Sequence, residues 1–204
     1  MSKHVTTHHF VNLVSWRYFS GDNQRADRKC YVDSVTMQIM CYLMTGIKHK
    51  RESGVEKFNC ISENDSGDAY YLLPKFGDSR YIHHTVLPFW STPAEVNADM
   101  LDIRSFDSFS VVVIGISSPK QDVLADELRN LTQCSDIYCL GAAVGHNQGT
   151  GIFDKLGLNF LYFLCFNTLR TMNKLKLTFL SASKIFLIKK ERLLFKSFCK
   201  YYFT

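Results

Sequence analysis

Residues 111–131 constrain the fold of this chain more than any other stretch. Val111, Val112, Val113 and Ile114 form an unbroken β-branched run, and Gly115, Ser117, Ser118 and Pro119 end it abruptly. A strand with no polar alternation has to be covered on both faces, as strands inside a parallel sheet are. From Val123 to Leu131 apolar residues recur at helical spacing. The reading is strand, tight loop, helix. Ligands of open α/β sheets bind at the carboxyl ends of strands, beside such loops, so residues 115–121 are expected to line a crevice.

The pattern repeats. Residues 135–145 read as a second strand that delivers small residues, Gly141 and Gly145 among them, to the same sheet edge. Glycine there permits close backbone approach. Residues 30–34 read as a short strand ending in Asp33, and 35–44 as a buried helix stopped by Thr45 and Gly46. Asp33 has two readings: an N-cap for that helix, or a general base at a strand's carboxyl end. The expected class is therefore α/β: an open, mostly parallel, Rossmann-like sheet with helices on both faces, plus a basic C-terminal helical tail. Neither G-x-G-x-x-G after a strand nor a Walker A loop occurs.

Other segments carry weaker signals. Residues 5–14 begin as a short strand and turn polar at Thr6, Thr7, His8 and His9. His4, His8 and His9 lie close together, but metal ligands must share a face, which His4 and His8 would do only on a helix. The alternative is a loop lining a polar pocket. Residues 47–54 form a basic loop in which Arg51 could clamp a phosphate. Residues 57–62 suggest a short strand, and 91–103 a helix with Pro93 just inside its start and Glu95 in its first turn.

The 46% apolar and 21% charged composition suits one domain with a real core. Charge is uneven: residues 155–204 hold ten Lys or Arg against the single acid Glu191, so the rest of the chain is net negative. The boundary is accordingly drawn between an α/β domain at 1–155 and a basic, apolar segment at 156–204. The apolar run at 158–166 is about half the length of a membrane span. A basic amphipathic helix can lie on an anionic membrane surface, or pack on the body with its lysines in water. Nucleic acid is not expected as a partner, because no binding motif accompanies the charge. The seven cysteines include no Cys-x-x-Cys pair and read first as buried reduced thiols of a cytoplasmic protein, with zinc binding or disulfides as the alternative; residues 1–5 lack the apolar core of a secretory leader.

Three segments, in order, resemble the WecG/TagA/CpsF glycosyltransferases of bacterial surface-polymer synthesis. Residues 113–122, V-I-G-I-S-S-P-K-Q-D, resemble that family's V-G-L-G-x-P-K-Q-E. Residues 140–150, L-G-A-A-V-G-H-N-Q-G-T, resemble V-G-A-A-F-D-x-x-A-G-T, and 156–162, L-G-L-N-F-L-Y, resemble L-G-L-E-W-L-Y. More weakly, Val5 to His8 resemble V-T-x-N at the end of a first strand, Val32 to Ser34 resemble x-D-G, and Arg51 to Glu56 resemble R-x-x-G-x-D. The resemblance spans 5–170.

It implies transfer of an N-acetylhexosamine-type sugar from a UDP-sugar to a polyprenyl-diphosphate-linked sugar, with inversion and with no metal or other cofactor. Asp33 would be the base. Arg51 would hold diphosphate charge. Thr6, His8 and Gln121 would bind donor or acceptor, with Gly115, Pro119, Gly141 and Gly145 shaping the donor loops. Arg170, with Lys174, would stand for the family's arginine-rich C-terminal signature. The resemblance further implies a peripheral place on the inner face of the cell membrane and close packing of protomers as a homo-oligomer. This chain departs from the pattern at His8 (for Asn), Gly145 (for Asp) and Asn159-Phe160 (for Glu-Trp). The alternative is an inactive relative that binds a nucleotide sugar or a partner, and a third reading is a small-molecule α/β enzyme of another kind.

Overall fold

The computed structural model describes residues 5–21, 24–63, 67–74, 83–145 and 168–203. A six-stranded open parallel sheet organises it, in the order β2-β1-β6-β5-β3-β4. The strands are β1 Thr6–Val11, β2 Arg28–Val32, β3 Ala69–Leu73, β4 His84–Val86, β5 Val111–Ile114 and β6 Asp136–Cys139. The expected α/β class is what the chain adopts. The contacts divide it into two compact units, one of residues 1–10, 25–30 and 54–147, the other of 11–24, 31–53 and 148–204.

In the first unit the sheet is read most easily from its cross-strand rows. Tyr70 pairs with Val112 and Val112 with Ile137, while Tyr71 pairs with Val113 and Val113 with Tyr138. Successive side chains point to opposite faces. One face therefore carries Tyr70, Leu72, Val112, Ile114, Ile137 and Cys139, which pack with Leu124, Ala125 and Leu128 of α3 (Lys120–Leu131). The other face meets α2 (Gly54–Glu63): Phe58 lies edge-on to Tyr71 at 6.4 Å, and a Cβ on Gly54 would sit 3.6 Å from the Phe10 ring. Helices thus cover both faces, which explains the unbroken apolar run of β5.

Two local expectations are corrected here. Residues 57–62 are not a strand; they lie inside α2. Val55, Phe58 and Ile61 recur every third residue, and Glu56 in the first turn favours the helix N-terminus. Residues 91–103 are not one helix but short 3-10 turns at Pro93–Glu95, Ala98–Met100 and Ile103–Ser105. Val96 and Asn97 are extended, and the Asn97 side chain accepts from the Asp99 N–H to start a fresh turn. The interruption seats Val96, Ala98, Leu101 and Phe106 in the core.

In the second unit α1 (Val35–Thr45) is capped by Ser34, whose hydroxyl accepts from the Met37 N–H at 3.2 Å. The capping reading of Asp33 is therefore displaced by one residue. Gly46 ends α1 at φ 74°, with its N–H donating to the Tyr42 carbonyl. Only glycine adopts that conformation cheaply, so Gly46→Ala should cost about 1 kcal/mol in a urea titration; an unchanged midpoint would show that α1 ends otherwise.

The basic C-terminal stretch is helical, as its pattern predicts, but forms two helices, α4 (Thr168–Leu187) and α5 (Lys189–Phe203). Within the second unit α5 packs against α1, α4 and the 3-10 turn Trp16–Phe19. Trp16 meets the Phe195 ring edge-on at 5.0 Å and donates from Nε1 to the Ser181 hydroxyl at 3.2 Å. Among the described residues no helix is long and apolar enough to cross a membrane.

Candidate functional site

The carboxyl ends of β5 and β6 bring two sequence motifs together in the first unit. β5 leads through Gly115 into the loop that opens α3, with a cis Ser118–Pro119 peptide. β6 leads through Leu140 into a 3-10 turn at Gly141–Gly145. The two loops interlock. Gly141 has φ 56°, and a Cβ there would stand 3.2 Å from Gln121 Oε1 and 3.3 Å from the Ile116 carbonyl. A Cβ on Gly115 would stand 3.2 Å from Val144 and 3.3 Å from the Leu72 carbonyl. Neither glycine leaves room for a side chain unless a neighbour shifts. Gln121 is buried, and its Oε1 has no hydrogen-bond partner among the described residues. A buried amide oxygen in that state seeks a donor. Lys120 donates to the Trp90 carbonyl at 2.8 Å and lies over the Phe89 ring.

Behind this loop sits a polar chain that sequence reasoning missed. His9 of β1 donates from Nδ1 to Asp122 Oδ1 at 2.8 Å, and the Ser118 hydroxyl donates to Asp122 Oδ2. His9 and Asp122 are almost wholly excluded from water. Asp122 thereby ties the first turn of α3 to a sheet strand and to the loop beside Pro119. The available signal was the Ser118-x-x-x-Asp122 spacing across a helix start, since residues four apart share a helical face. Cys139 adjoins the pair: its Sγ, His9 and the Asp122 carboxylate all lie within 4.8 Å of one another, a set of metal-ligand types. Each is already hydrogen-bonded within the fold, Cys139 to the Gln121 carbonyl at 3.7 Å. Burial, and then the nearby Asp122, push the Cys139 thiol well up.

The N-terminal residues fall elsewhere. β1 runs on to Val11, so Thr6 opens the strand opposite Asp136 and His8 stands within it opposite Tyr138. The expectation that Val5 to His8 end the first strand is corrected. Polar residues there did not stop the strand, because each found a partner or a buried place along it. His8 and His9 point to opposite faces, so the histidines do not converge as a ligand set; His4 lies outside the described residues. His8 donates from Nε2 to Asp136 at 2.7 Å and stacks on Tyr138 at 4.2 Å, with Lys57 over the same ring.

Burial pulls the His8 imidazole below its ordinary value, with the Asp136 hydrogen bond opposing. The unfolded chain therefore binds a proton there that the folded protein resists. Its contribution to stability is fully present above the ordinary histidine value of about 6.5 and is lost as pH falls from there toward the lower folded value. Denaturation at pH 7.5 and 5.5 should show this loss, and His8→Gln should reduce it; an equal slope in the variant would exclude His8 as the source.

Asp33 and Arg51 belong to the second unit, where they are near neighbours. Asp33 follows β2 and donates its N–H to the Val11 carbonyl at 3.1 Å; Arg51 forms a parallel bridge with Val32, and the Glu52 N–H donates to the Val32 carbonyl at 2.9 Å. The basic loop is thus held against the end of β2. Arg170 lies in the first turn of α4. The motif at 156–162 lies outside the described residues, as do the last five residues of the 140–150 motif. No family model, curated protein or solved structure matches the chain.

Proposed function

We propose that this chain is a glycosyltransferase that moves an N-acetylhexosamine-type sugar from a UDP-sugar to a polyprenyl-diphosphate-linked acceptor, with inversion and without a metal. The observation that carries the proposal is the meeting of Gly141 with Gln121 and the Ile116 carbonyl. The two motifs that most resemble the glycosyltransferase family, 25 residues apart at Gly115 and Leu140, adjoin at one sheet edge, where α/β folds hold ligands.

In this reading Gln121 and the glycine loops bind the donor. The Asp33 carboxylate takes the proton of the acceptor hydroxyl as its oxygen bonds to the anomeric carbon, and the sugar–phosphate bond breaks to release UDP. Arg51 pairs with diphosphate charge. The lipid-linked acceptor places the enzyme on the inner face of the cell membrane. The exposed face of α4 and the start of α5 favour that placement: Phe179 and Leu187 are 73% and 82% exposed, near Lys184, Lys189 and Lys190. Apolar side chains flanked by lysines suit an anionic interface. A second reading, a nucleotide-sugar-binding relative without chemistry, is favoured by Gly145 and Asn159 at positions that are acidic in the family.

Calorimetry with UDP and a transfer assay with a lipid-diphosphate-sugar analogue, with and without chelator, decide between them. Binding with chelator-resistant transfer supports the enzyme, and binding without transfer supports the second reading. Absence of UDP binding overturns both.

A further inference from the structure

We propose that Cys41 and Cys199 form an oxidative modification site, closing to an intramolecular disulfide that ties α1 to α5 when small-molecule disulfides accumulate. The inference is independent of the proposed activity. Cys41 lies in the second turn of α1 and Cys199 in the last turns of α5, 158 residues away in sequence but in the same compact unit. Their Sγ atoms are 3.2 Å apart. A disulfide needs about 2.05 Å between sulfurs, so closure requires an approach of roughly 1.2 Å, within the reach of side-chain rotation and a small helix shift.

The setting distinguishes this pair from the other described cysteines. Both thiols are wholly buried, beside Phe195 and Phe198, also buried on α5, and the dithiol is already a mutual hydrogen-bonded contact. The hydrogen bond shared with Cys41, and then burial, push the Cys199 thiol far up, so Cys199 stays a protonated, unreactive thiol while the pair is closed. Attack therefore begins when the end of α5 opens. One thiolate attacks a sulfur of oxidised glutathione and releases one glutathione. The second thiolate then attacks the resulting mixed disulfide and releases the other. The protein thiols lose two electrons and two protons, and the glutathione disulfide gains them. A cross-link between such distant residues constrains the unfolded chain strongly. In a reducing compartment the pair rests as a dithiol.

The test equilibrates the full-length protein with glutathione buffers of rising oxidised fraction, quenches with acid, alkylates in denaturant and maps the peptides. The expected result is a Cys41–Cys199 linked peptide that accumulates with the oxidised fraction and disappears on reduction. In the oxidised form, amide exchange in α5 should slow by on the order of tenfold or more. Exposed Cys60 reports that the oxidant is competent. Recovery of Cys41 and Cys199 as free thiols under conditions that glutathionylate Cys60 overturns the proposal, as does their pairing with other cysteines. Cys41→Ala and Cys199→Ala should each lack the linked peptide; if either fails to fold, the wild-type map decides alone.

Discussion

Asp33→Asn is expected to lower sugar transfer by roughly a hundred- to ten-thousand-fold, the range spanned by loss of a general base. The change removes the proton acceptor and keeps the size of the side chain. Asparagine matches aspartate in shape, and the Asp33 N–H bond to the Val11 carbonyl is a backbone contact that survives. The cap of α1 belongs to Ser34, so helix stability is untouched. UDP affinity should be largely retained, since Asp33 acts on the acceptor hydroxyl and not on the donor. Transfer at the wild-type rate in this variant would remove Asp33 from the mechanism. Loss of transfer together with loss of fold, read by circular dichroism, would indicate a structural role instead.

The second large effect falls on stability. Asp122→Ala should destabilise the protein by about 3 kcal/mol or more. The buried carboxylate accepts from the buried His9 Nδ1 and from the half-buried Ser118 hydroxyl. Removing it strands the buried His9 donor and leaves a void beside Cys139. Asp122→Asn should cost less, because one oxygen remains to accept. At about 3 °C per kcal/mol for a chain of this size, the alanine variant should melt roughly 10 °C lower. A shift within 1 °C would mean that the polar chain does not hold the loop. If the loop is held this way, the alanine variant should also weaken UDP binding, through the displacement of Gln121.

Much of the fold was legible because it rests on short-range rules. The β-branched run at 111–114, the small residues after it and the helical periodicity beyond gave strand, loop and helix in their places. Gly46 stopped α1 as a C-terminal glycine does. The basic tail was legible as helical, although not its division at Ile188 between α4 and α5. The misread segments are those where local preference was weak. Residues 57–62 read as a short strand, whereas Val55, Phe58 and Ile61 recur at helical spacing within α2. At 91–103 a good helix start was overridden by the burial of Val96, Ala98 and Leu101. At Thr6 to His9 polar side chains looked like the end of a strand, whereas cross-strand partners made them its interior.

The candidate site shows the same division more sharply. Residues 111–145 by themselves determined that two small-residue loops follow two buried strands, because unbroken apolar runs and glycines act locally. That Gly141 abuts Gln121 was decided only by the tertiary structure, through the parallel register that sets β5 beside β6. The partnership of His9 with Asp122 likewise spans 113 residues and exists only because β1, β6 and α3 share one packed face. Chain-distant polar groups leave no periodic trace in sequence; burial selects them, since a carboxylate excluded from water must find its donors wherever the fold has brought them.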